Sequence, residues 1–86
     1  MKIKKELIKR EVAGETILVP VGKTVYDSNG LFVLNELGAV IWDLLPGVSD
    51  QEEILGAVLK EYDVTAEEAR RDIAQFLEEL KELEIL

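Results

Sequence analysis

The chain has 86 residues, close to half of them hydrophobic and a third charged, with six glycines, two prolines and a net charge of −8. That length allows one domain with a limited core and no room for linkers, repeats or a second domain, so residues 1–86 are expected to form a single unit. Cysteine and histidine are both absent, which removes disulfides, thiolate chemistry and the commonest general base and metal ligands. No catalytic, metal-binding or cofactor-binding residue is singled out.

The charge is unevenly placed. Residues 1–48 carry six acids and six bases, whereas residues 49–86 carry twelve acids against Lys60, Arg70, Arg71 and Lys81. Phosphate recognition needs concentrated Lys and Arg, so neither nucleic acid nor an anionic membrane is expected as a partner. The amino terminus, Met1-Lys2-Ile3-Lys4-Lys5, is basic, but charges return at Glu6, Lys9, Arg10 and Glu11 before any apolar run develops. No secretory or transmembrane segment is expected, and a cytoplasmic location follows as the default.

In chain order, Leu7 to Val12 and Thr16 to Val19 flank Ala13-Gly14 and predict a hairpin, with Pro20 ending the second strand or lying on an edge. Thr24-Val25-Tyr26 and Leu31 to Leu34 flank Asp27-Ser28-Asn29-Gly30, whose last two residues tolerate the positive φ of a tight turn, and so predict a second hairpin. Within Leu31-Phe32-Val33-Leu34 alternate side chains point to opposite faces, yet all four are apolar. Such a strand has one apolar face more than a core requires. An exposed apolar edge of this kind is a template for a partner strand, whether from a peptide or from a second copy of the chain, so both a monomer and an edge-paired homodimer are open.

The rest is helical. Asn35 is a candidate N-cap, followed by a stripe of Leu37, Val40, Ile41, Leu44 and Leu45 that Pro46-Gly47 stops. Ser49 with Glu52 predicts a capping box for a second helix, with Ile54, Leu55, Val58, Leu59 and Tyr62 on one face. Thr65 with Glu68 predicts another, opening a longer helix with Ala69, Ile73, Phe76, Leu77, Leu80 and Leu83 inward. The sum is an α+β fold, a small antiparallel sheet of three or four strands followed by three helices, in the manner of a winged helix-turn-helix. That fold first suggests a DNA-binding transcription regulator, which the charge distribution opposes.

The segments Gly30-Leu31-Phe32-Val33-Leu34-Asn35-Glu36-Leu37-Gly38-Ala39-Val40-Ile41-Trp42-Asp43-Leu44-Leu45, Glu53-Ile54-Leu55, Glu61-Tyr62-Asp63-Val64, Asp72-Ile73 and Phe76-Leu77-Glu78-Glu79-Leu80 follow one another as they do in a known family. The chain resembles the PqqD-like family, also described as RiPP recognition elements, small winged-helix proteins that bind the leader segment of a precursor peptide. The resemblance implies a noncatalytic peptide-binding module. The leader would add as an antiparallel strand beside the third strand, in a cleft walled by the third helix, and the protein would present it to a modifying enzyme. In pyrroloquinoline quinone biosynthesis that enzyme is a radical S-adenosylmethionine enzyme, and related domains serve other pathways. The stretch from Val21 to Asn29 is longer here than in the pyrroloquinoline quinone member.

Leu31, Phe32, Val33 and Leu34 are therefore candidate peptide contacts, against the plainer expectation that Phe32 and Leu34 cap the core while Leu31 and Val33 touch the first hairpin. On the third helix the 100° step places Leu77, Arg70, Ala74 and Lys81 toward one flank of a face centred on Ile73. That flank is the candidate peptide wall, with Ala74 admitting a backbone and Arg70 and Lys81 meeting acidic leader residues. The plainer expectation is that Arg70 and Lys81 offset Glu67 and Glu78 on a solvated face. Trp42 is expected in the core rather than as a partner anchor. Asp72 is expected to pair with a nearby base or hold helix packing, because no second acid or metal ligand accompanies it; a small hydrolase or transferase built on Asp72 and glutamates is the enzyme alternative.

Overall fold

The computed structural model describes residues 1–22 and 32–86. The strands are β1 (Leu7–Val12), β2 (Glu15–Pro20) and β3 (Phe32–Leu34), and the helices are α1 (Glu36–Leu44), α2 (Gln51–Glu61) and α3 (Ala66–Glu82), with a 3-10 turn at Leu45–Gly47 after α1. The expected strand at Thr24-Val25-Tyr26, the turn at Asp27-Ser28-Asn29-Gly30 and the candidate Leu31 lie outside the described residues. No helix among the described residues is long and apolar enough to cross a membrane.

The sheet is antiparallel in the order β1-β2-β3. The first hairpin turns on Ala13 (φ 53°) and Gly14 (φ 82°), and positive φ at both central residues gives the turn whose twist matches that of the flanking strands. Pro20 ends β2, as its missing N–H requires. The register sets Leu18 opposite Phe32, Ile17 opposite Val33 and Thr16 opposite Leu34. Opposite residues share a face, so Leu18, Phe32 and Leu34 point toward the helices, whereas Ile17 and Val33 point away.

Local signals start each helix. Asn35 Oδ1 accepts the Gly38 N–H at 2.7 Å and Thr65 Oγ1 accepts the Glu68 N–H at 3.1 Å, as the sequence predicts. For α2 the cap is Asp50 rather than Ser49, its Oδ1 accepting the Glu53 N–H at 3.0 Å. Val48 and Ser49 lie between the 3-10 turn and this cap, and Asp caps as well as Ser. Helix α3 ends in a Schellman turn, with the Ile85 N–H on Leu80 O at 2.8 Å and the Glu84 N–H on Lys81 O at 3.0 Å. Glu84 holds the left-handed position of that turn at φ 61°.

The core gathers Leu18 and Leu34 from the sheet, Ile41, Trp42 and Leu45 from α1 and the turn after it, Ile54, Leu55 and Val58 from α2, and Ala69, Ile73, Leu77 and Leu80 from α3. Trp42 is buried, as expected, while Leu37, Val40 and Leu44 of the anticipated stripe are only partly covered. Ile85 swings back into this core through the Schellman turn, and the Lys4 N–H donates to Ile85 O at 2.7 Å.

A candidate peptide-binding cleft

β3 is an edge strand among the described residues: β2 pairs with one side of it and no described strand pairs with the other. The three side chains divide by face. Leu34 is buried in the core, Phe32 is half-buried against it, and Val33 stands 58% exposed on the opposite face beside Ile17. Phe32 and Leu34 thus do cap the core, and Val33 does meet the first hairpin.

β3 borders a cleft of about 250 Å³. Phe32, Val33, Leu34 and Asn35 form one side, and Leu37, Gly38 and Ile41 of α1 form the floor. The opposite wall is a single flank of α3: Asp72, Gln75, Phe76 and Glu79. These positions recur at three- and four-residue spacing, which keeps them on one helical face. Phe76 crosses toward β3 and meets Phe32 edge to face. Gly38 makes that approach possible, since a Cβ built there would lie 3.3 Å from the Phe76 ring and 3.1 Å from Asn35 Oδ1.

The candidate residues on α3 are distributed otherwise than expected. Leu77 is 4% exposed and belongs to the core. Arg70 reaches α2, its guanidinium 3.4 Å from Glu52, and both side chains are exposed. Neither Arg70 nor Ala74, Leu77 or Lys81 lines the cleft. The helix is rotated so that the flank of Asp72 and Phe76 faces β3 while Arg70 faces α2. Asp72 and Glu79 have no hydrogen-bond or ion-pair partner among the described residues, so the expected local pairing of Asp72 does not form. The apolar periodicity of α3 already marked Phe76; nothing local distinguished its flank from that of Leu77.

A second depression, about 570 Å³ and more open, lies between the first hairpin and α1, bordered by Lys9, Val33, Ala39, Asp43 and Tyr62 among others. Lys9 Nζ bonds Asp43 Oδ2 there at 2.5 Å. It lacks a wall from α3, and an ion pair already occupies part of its surface.

Among the described residues β3 thus leaves one edge without a partner strand and faces a helix across a partly apolar cleft, and an exposed sheet edge is a surface to which an extended chain can add. The sequence model of the family described as coenzyme PQQ synthesis protein D (PqqD) matches residues 15–86, and the chain belongs to that family. A solved structure described as TbiB1 in complex with the TbiA(beta) leader peptide is similar to it at 31% identity and a TM-score of 0.75, over 100% of this chain and 94% of that one. Among curated protein sequences, none matches.

Proposed function

We propose that this protein is a noncatalytic peptide-binding module that recognises the leader segment of a ribosomally made precursor by strand addition and presents it to a separate modifying enzyme. The observation that carries this reading is the edge of β3 that no described strand covers, which faces Phe76 across the cleft, supported by the likeness to a protein solved with a leader peptide bound. Backbone pairing along β3 would supply sequence-independent affinity. The cleft floor and the α3 wall would select side chains, because alternate residues of an added strand point toward the helix.

In this reading the peptide meets the backbone of Phe32, Val33, Leu34 and Asn35 and the side chains of Phe32, Asp72, Gln75, Phe76 and Glu79. A backbone amide titration of isotopically labelled protein with candidate leader peptides tests it. Joint perturbation of Phe32 to Asn35 and Asp72 to Glu79 is expected. Saturating binding that leaves those amides unmoved would place the peptide elsewhere. Presentation is tested separately, by comparing modification of the full precursor by its enzyme with and without this protein; equal rates would remove that part of the reading.

A further inference from the structure

The α3 wall of the cleft sets an acid on each side of an aromatic ring. Asp72 and Glu79 are seven residues apart, with Gln75 and Phe76 between them, and all four border the cleft. Asp43 and Glu52 are paired with Lys9 and Arg70, whereas Asp72 and Glu79 are exposed and have no hydrogen-bond or ion-pair partner among the described residues. Among the described residues, no Lys or Arg borders this cleft.

Seven residues of α-helix span about 10.5 Å, given a rise of about 1.5 Å per residue. A strand lying along this wall directs every second side chain at it, and four strand residues span about 13 Å. A residue seated against Phe76 therefore has its same-face neighbours, two positions before and two after, within a few ångströms of the levels of Asp72 and Glu79. Long flexible side chains absorb that difference, and a cationic donor makes the stronger hydrogen bond to a carboxylate.

We propose that the peptide accepted by this cleft carries a large apolar side chain flanked, two residues before and two after, by Lys or Arg. This rests on the peptide-binding reading and reverses the charge expected from Arg70 and Lys81, which stand away from the cleft. Asp72 and Glu79 act as specificity residues for a basic, apolar-centred strand.

The test is selection from a displayed library of random dodecapeptides, run on the full chain and on a D72K/E79K variant whose changes are confined to exposed positions. The expected result for the native chain is a large apolar residue with Lys and Arg enriched roughly fivefold at the two flanking positions, as two exposed ion pairs allow. In the variant pool that preference turns to Asp and Glu. An apolar-centred pool without basic flanks, or the same charge preference from both proteins, overturns the inference and leaves peptide binding standing. No enrichment from the native chain over the bare support overturns the peptide-binding reading and the inference with it.

Discussion

Phe32 of β3 and Phe76 of α3 meet edge to face, their ring centroids 6.1 Å apart and their planes 68° from parallel. The pair joins the two walls of the cleft, so the distance between sheet edge and helix is set by an aromatic contact rather than by backbone alone. Such pairs contribute about 0.5–1.5 kcal/mol beyond the area they bury. Both rings are half-buried, which leaves part of each open to an incoming side chain.

Phe32→Leu keeps an apolar side chain on the core face and removes the ring contact. Unfolding in denaturant is expected to show a loss of about 1 kcal/mol, and leader affinity is expected to fall several-fold as Phe76 loses its support. Unchanged affinity would show that the ring pair does not shape the binding wall.

Gly38→Ala separates fold from cleft. Alanine gains roughly 0.5–1 kcal/mol over glycine in a helix, while its Cβ would press on Asn35 Oδ1 at 3.1 Å and on the Phe76 ring at 3.3 Å. The two effects oppose each other in stability, so the melting temperature should shift by only a few degrees. Leader affinity should drop clearly, because the ring must move by a few tenths of an ångström. Fluorescence anisotropy with a labelled leader measures the second effect and calorimetry the first.

Arg70→Glu addresses the flank of α3 that faces α2. Its ion pair with Glu52 is long at 3.4 Å and exposed on both sides, so stability should change by less than about 1 kcal/mol. Leader affinity is expected to stay within about twofold of the native value, at the low end of what exposed charges contribute. A larger loss of affinity would return this flank to the binding site.

Glu84→Gly should stabilise the protein. Glu84 occupies the left-handed position of the Schellman turn at φ 61°, a conformation that costs an L-residue about 1–2 kcal/mol and glycine almost nothing. For a domain of this size a gain of about 1 kcal/mol raises the melting temperature by roughly 4–8 °C. A lower melting temperature would mean that the glutamate side chain contributes more than the strain removes.

The parts of the fold legible in the sequence were those set by neighbours along the chain. Asn35 and Thr65 announce helix starts because a cap needs only its own side chain and an N–H three residues on. Ser49 and Asp50 are adjacent competent caps, and nothing local to the sequence says that Asp50 is the one that accepts the Glu53 N–H. Ile85 gave no signal, since glycine or asparagine normally marks the turn that returns it to the core, and here that place is held by glutamate. The cleft was half legible. Apolar residues on both faces of β3 pointed to its edge, but periodicity fixes only the buried stripe of α3, and Phe76 and Leu77 are adjacent apolar residues at its border. Which of them turns toward β3 is decided by packing against α2 and the sheet, through contacts distant in sequence.

Asn35 both follows the last residue of β3 and caps α1. A strand added to the β3 edge would therefore run out of ladder there, since the residues that follow belong to a helix. At that end the guest chain would have to peel away at one fixed point, whatever its sequence. The site would then act as a ruler: it would fix the position of the exit, and the number of residues from that exit to the modified segment would be a property of the precursor alone.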